Sequence, residues 1–221
     1  MSKTLRLLLE LGFSEKTFSE VIAVTKNNDT WNCSPLGVKL DTSKKMLYFY
    51  VYEGARILHF FKSKNVYFTI NIVSNCKVFF NCIFKKNIPK EIGIVNENLG
   101  FIKSADAYVI CKTKSLRKMR DNRKYFVEAF PKKVVILRKK PRTFNRVAPA
   151  IIEALIYYTK IKPYYEMRDY KYVNELLQRI TYCRDIVYHS TTDSEFRKTI
   201  DLVLKEAFNL VEKLGGVSKR T

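Results

Sequence analysis

A mainly β domain followed by a helical part is the fold class this chain predicts, and three observations predict it. Four runs rich in β-branched and aromatic residues crowd into positions 20–73, each closed by a polar or Gly-containing break. Two more such runs, 105–113 and 125–137, flank the basic segment KSLRKMRDNRK and read as a long hairpin completing the sheet. Beyond Pro141 the apolar residues switch to three- and four-residue spacing, the period of a helix with one buried face. With 221 residues the chain can bury a proper core as one domain, or as one domain with an appendage.

Taken in order, the segment at 5–11 has an apolar core interrupted by Arg6 and Glu10 and lacks a small-residue cleavage site. It therefore fails as a signal peptide, and Leu5, Leu8, Leu9 and Phe13 fit a short amphipathic helix instead. Residues 20–25 form the first strand, closed by the turn Lys26-Asn27-Asn28-Asp29, and 31–40 resumes an extended pattern. The dense run 46–52 is a third strand. Glu53-Gly54 breaks it, and 55–64 places Ile57, Leu58, Phe60 and Phe61 on a helical period with basic residues at the end. A fourth strand spans 66–73. The apolar run 76–84 is short enough to be a buried helix or a strand, and 91–99 reads as a loop. In the helical part, Val147, Ala150, Ile151, Ala154, Leu155 and Tyr158 make one stripe, and Pro149 sits early enough for a first turn. A second helix is expected over 170–188. A third is expected over 192–214, with Thr192 or Asp193 as cap and Gly215-Gly216 as stop.

The order of the early elements carries a resemblance. Glu20-Val21-Ile22-Ala23-Val24-Thr25, Asn32-Cys33-Ser34-Pro35-Leu36-Gly37-Val38, Glu53-Gly54-Ala55-Arg56-Ile57 and Phe144-Asn145-Arg146-Val147 follow one another at set intervals. They resemble the E-[ST]-[IV]-V-[ST]-T, N-A-A-P-[IM]-G-V, E-G-S-R-T and F-N-R-A motifs of an archaeal family of FMN-binding split β-barrels. This is the domain of unknown function 447 family, related to flavin reductases. The resemblance implies a split β-barrel domain over 1–141, a C-terminal helical subdomain over 142–216 and a basic tail over 217–221. It also implies an FMN cofactor, a homodimer with FMN between subunits, and a reductase activity in which a nicotinamide donor passes hydride to the flavin.

An FMN site must meet a phosphate dianion and a flat, partly apolar ring. Gly54, Ala55 and Arg56 at a helix start offer exposed amides, the positive end of the helix dipole and a guanidinium. By resemblance Arg56 is the phosphate ligand, and Asn32, Cys33, Ser34 and Pro35 run beside the isoalloxazine. Asn145 suits a helix cap, and Arg146 points either to the ligand or to an acid such as Glu153. The chain departs from the family at Ala55 and Ile57, where relatives carry Ser and Thr. Two neutral hydrogen bonds of about 0.5–1.5 kcal/mol each would then be missing, with Lys62, Lys64 or Arg146 as compensating cations.

Charge and cysteines narrow the setting. The 41 Lys+Arg against 21 Asp+Glu give a formal charge of +20, a field that attracts phosphates. Thirteen Lys or Arg lie between Lys112 and Arg142, opposed by Asp121 and Glu128. With Tyr125, Phe126 and Phe130 nearby, this segment is either a nucleic-acid-binding face or a solvated hairpin whose aromatics face the core. A ligand-free interaction module is the further alternative. Five scattered cysteines without C-x-x-C spacing point to a reduced, cytoplasmic protein. His59 and His189 have no adjacent ligand set, so no metal site is expected. No run of eighteen or so apolar residues is present to span a membrane. The G-x-G-x-x-G, P-loop, H-E-x-x-H and G-x-S-x-G motifs are absent.

Overall fold

The computed structural model describes residues 2–15, 18–27, 30–63, 65–86, 88–120, 123–138, 147–191 and 193–218. The chain divides into two compact units, Met1–Pro141 and Arg142–Thr221.

In the first unit, β1 (Ser19–Asn27), β2 (Thr30–Asp41), β3 (Met46–Tyr52), β4 (Tyr67–Ile72), β7 (Ala107–Lys118) and β8 (Lys124–Ile136) form a closed antiparallel barrel. Their order around it is β1-β2-β3-β8-β7-β4, with β4 returning to pair with β1. Inward-pointing residues alternate as a half-buried strand requires: Leu47, Phe49 and Val51 on β3, and Val127 and Ala129 on β8, are buried. Helix α2 (Arg56–Lys62) supplies Ile57, Leu58, Phe60 and Phe61 to this core. The Phe61 ring lies 5.4 Å from Phe49 and 5.1 Å from Phe68, so α2 is pinned to β3 and β4 by edge contacts between aromatics. Helix α1 (Lys3–Glu10) adds Leu5 and Leu8 to the same core. Leu9, expected on that face, is instead 42% exposed.

The run 76–84 is helix α3 (Cys76–Phe84), with Asn75 accepting from the Lys77 amide as N-cap and Lys85 in the left-handed region at its C-cap. Short α4 (Ile88–Glu91) follows. The segment expected as a loop over 91–99 is instead the start of a two-stranded ribbon, β5 (Ile92–Asn96) with β6 (Leu99–Ile102). A tertiary anchor holds the ribbon. Buried Asn71 donates to the Ile22 carbonyl at 3.0 Å and accepts from the Ile102 amide at 2.8 Å, while Thr69 donates to the Gly100 carbonyl at 2.6 Å. This ribbon explains why β1 is buried on both faces across Val21–Thr25 instead of alternating. The basic segment expected as a turn is mostly strand, since β7 runs to Lys118 and β8 begins at Lys124.

The second unit is a three-helix bundle of α5 (Val147–Glu166), α6 (Tyr170–Ser190) and α7 (Ser194–Ser218). Its core includes Ile151, Leu155, Ile180, Val187, Ile200 and Val203. Asp169 caps α6, and Asp193 accepts from the Glu195 amide at 2.8 Å at the head of α7. Asp201 of α7 accepts from Arg184 and Tyr188 of α6, both at 2.6 Å. Helix α7 continues through Gly215-Gly216, where a stop was expected.

Candidate functional site

The site begins with a gap in sheet pairing. Strand β2 pairs with β1 from Thr30 to Val38, but with β3 only from Val38 to Asp41. Among the described residues, 30–37 therefore keep one edge without a strand neighbour. Pro35 sits in that stretch, where a missing N–H costs no ladder bond. Helix α3 ends beside this edge, and the Lys85 ammonium donates to the Cys33 carbonyl at 2.8 Å and to Asn32 Oδ1 at 3.2 Å. In an antiparallel strand the N–H and C=O of one residue point the same way. The Cys33 amide thus faces the open edge along with its carbonyl, while its buried side chain lies on the opposite face of β2 from the core residues Leu36 and Val38, against Cys82 of α3. Asn32 is held in one orientation, its Nδ2 donating to Ser34 Oγ at 3.1 Å and to Thr25 Oγ1 at 3.4 Å.

Lys85 as a residue is largely exposed, but its ammonium is tucked against β2. Burial there lowers its pKa, and the nearby Arg56 charge lowers it further. Arg56 therefore lies within electrostatic range of the ammonium that grips Asn32 and Cys33. Among the described residues neither Arg56 nor Lys85 has a carboxylate partner. The Cys82 thiol is pushed up by its hydrogen bond with Cys33 and by burial, so it stays protonated.

Arg56 opens α2, which has no side-chain cap at Ala55 and no acid in its first turn. Gly54 precedes it at φ 88°, a conformation glycine adopts without strain. The Glu53 carboxylate next to it is neutralised, because Lys118 donates to it at 2.8 Å and holds its pKa low. The β7–β8 turn braces the same corner, with the Glu53 amide donating to the Arg123 carbonyl at 2.7 Å.

Lys85 thus touches Asn32 and Cys33, Ser34 hydrogen-bonds Asn32, Pro35 follows on the same strand, and Arg56, preceded by Gly54 and Ala55, bears on the ammonium only electrostatically. Asn145 and Arg146, and the candidate cation Lys64, lie outside the described residues. The two departures from the family motif weigh less than the sequence implies: Ile57 is buried in the core and Ala55 packs against it, so neither side chain points out beside the guanidinium. Lys85 is the cation at this edge that sequence reasoning misses. Its only local sign is a lysine pair closing an apolar helix, and its partners lie 52 and 53 residues away.

A closed six-stranded antiparallel barrel, with part of one strand edge unpaired among the described residues, defines a split-barrel protein. The sequence model described as "Protein of unknown function (DUF447) N-terminal domain" matches residues 19–138, and the chain belongs to this family. Among solved structures, the chain is similar to an FMN-bound DUF447-family protein from Methanosarcina mazei, with TM-score 0.72 and 20% identity over 90% of this chain and 99% of that one. It is also similar to the flavin reductase HpaC complexed with NADP+, with TM-score 0.47 and 13% identity over 62% and 89% of the two chains. A flavin reductase domain protein from Arthrobacter gives TM-score 0.48 and 8% identity over 63% and 98%. Among curated proteins none matches at a significant level.

Proposed function

We propose that the protein binds FMN, with the phosphate at Arg56, the first amides of α2 and Lys85, and the ring along the open edge at Asn32, Cys33, Ser34 and Pro35. The Lys85 ammonium on an unpaired strand edge, without an acidic partner among the described residues and on a strand that the Arg56-bearing helix α2 also contacts, carries this reading. A phosphate dianion relieves the Arg56–Lys85 repulsion, and the Cys33 amide meets a ring acceptor. The FMN bound to the Methanosarcina mazei relative supports the choice of ligand. Asn145 and Arg146 belong to the same proposal on the strength of the family motif.

Bound flavin supplies a two-electron acceptor for hydride from a nicotinamide, and the proposed activity is a flavin reductase or related oxidoreductase. The protein's own task is orientation and charge. Asn32, fixed by three hydrogen bonds, presents a rigid edge, and the two cations stabilise negative charge gained on reduction. A homodimer is part of the reading, and Ile94 and Val95, exposed on β5, offer apolar surface for it. Five free, buried cysteines suit a reducing compartment such as the cytoplasm.

The test is a visible spectrum of the purified protein before and after FMN is added, followed by anaerobic addition of NADH or NADPH. Flavin absorption that survives gel filtration, then bleaches with a nicotinamide, is the expected result. A colourless protein that neither retains nor quenches added FMN overturns the proposal, and retained flavin that no nicotinamide bleaches removes the reductase activity alone.

A further inference from the structure

The outward face of β3, β8 and β7 holds aromatic rings where a solvated barrel ordinarily places polar side chains. Tyr50 of β3 lies directly opposite Phe126 of β8, which lies opposite Arg117 of β7. The rings of Tyr50 and Phe126 are 5.4 Å apart, Tyr48 stands 5.7 Å from Phe126 on the diagonal, and the Arg117 guanidinium lies 5.2 Å from the Phe126 centroid. Tyr50 remains 40% exposed. Of the hairpin aromatics, Tyr125 packs against the core, while Phe126 and Phe130 do not.

Cations border the rings. Lys124 lies 4.9 Å from the Tyr52 centroid, and Lys114 and Lys132 lie 5.5 and 5.2 Å from that of Phe130. Among the described residues, Glu128 on this face accepts from Ser115 at 2.6 Å, and Asp41 and Glu15 act on Tyr48 at its far end. We propose that this face binds single-stranded nucleic acid: unpaired bases stack on Tyr48, Tyr50 and Phe126, and the bordering Lys and Arg neutralise the phosphates. Stacking needs ring faces on a rigid sheet and tolerates any base, and the backbone needs cations at the border of those rings; the face supplies both, on a chain of net charge +20. Its charge favours a polyanion over a second copy of an equally basic chain. The surface adjoins the Arg56 corner at Tyr52 and Lys124, but Tyr48, Tyr50 and Phe126 are not among the residues assigned to flavin, so flavin binding and strand binding are read out separately.

The test is fluorescence anisotropy of the full-length protein with a labelled oligothymidylate of about sixteen nucleotides. Four neutralised phosphates give a log–log salt slope of about −3. Tyr50→Ala and Phe126→Ala each weaken affinity about tenfold at fixed salt with the slope unchanged. Arg117→Gln reduces the slope by about 0.7. A duplex of the same length, whose base faces are hidden, binds more weakly. Undiminished affinity in both ring variants, or equal affinity for the duplex, overturns the proposal in favour of diffuse charge attraction. Loss of a dimer in Tyr50→Ala or Phe126→Ala, seen by light scattering, overturns it in favour of a second copy on this face.

Discussion

An ammonium pressed against a strand carbonyl gives up part of its hydration, and Lys85 does so with a second cation, Arg56, in range. Both effects favour the neutral amine, whereas a bound phosphate favours the charged form. Affinity for FMN should therefore fall as pH rises through the depressed Lys85 pKa, below the range where an ordinary lysine titrates near 10.4. The stability of the ligand-free protein moves the other way in that window, because the unfolded chain holds the proton that folded Lys85 has lost. Flavin fluorescence titrations and thermal melts across alkaline pH check both signs, and Lys85→Met should flatten both curves. At neutral pH, Arg56→Ala and Lys85→Met should each weaken FMN binding by about ten- to a hundredfold, the worth of a charge-assisted hydrogen bond of roughly 1.5–3 kcal/mol. Unchanged affinity in Arg56→Ala would move the phosphate elsewhere. The cysteines yield another prediction at this scale. All five are buried, with Cys183 pushed up to about 11 and Cys111 and Cys82 also raised, chiefly by desolvation for the first two and by the Cys33 contact for the last. A thiol reagent should label the native protein slowly and all five sites after unfolding.

Single side chains hold whole elements in place. Asn71→Leu strips the Ile22 carbonyl and the Ile102 amide of their partner and should cost about 2–4 kcal/mol in denaturant unfolding, with the β5–β6 ribbon losing hydrogen-exchange protection first. Phe61→Ala removes the ring that joins α2 to Phe49 and Phe68 and should cost about 3–5 kcal/mol, weakening FMN binding because the Arg56 corner rides on α2. The contrast between these elements marks what the sequence makes legible. β1 to β4 and the α5 stripe show themselves because their signal is local: β-branched runs with breaks, or apolar residues at helical spacing. The β5–β6 ribbon does not, since its stretch carries Asn96, Glu97, Asn98 and two glycines and is ordered by a distant asparagine. Gly100 packs against the Trp31 ring, where an added Cβ would come within 2.8 Å, a contact no local pattern announces. Likewise Gly215-Gly216 is a stop signal by propensity, yet α7 continues through it. The Arg56 end of the site is legible as a motif, whereas the Lys85 end exists only once α3 has been folded against β2.

Across the whole molecule, the formal charge of +20 is a store of self-repulsion. Moderate salt screens it over about 10 Å, so the ligand-free melting temperature should rise between low and moderate ionic strength; a flat or falling response would mean the cations are already compensated locally. The same salt weakens phosphate binding, which separates folding from ligand effects in one titration. Among the described residues no helix is long and apolar enough to cross a membrane. The open margin of β2 matters here in another way. A strand flank without a neighbour is a template on which other chains can add, and natural sheets guard such flanks with lysine and proline. Pro35 and Lys85 stand at this one, so the contact proposed for anion binding also guards the flank against added strands. Alkaline solution, by discharging Lys85, would leave Pro35 as the remaining guard and make clumping of the empty barrel the first sign of its loss.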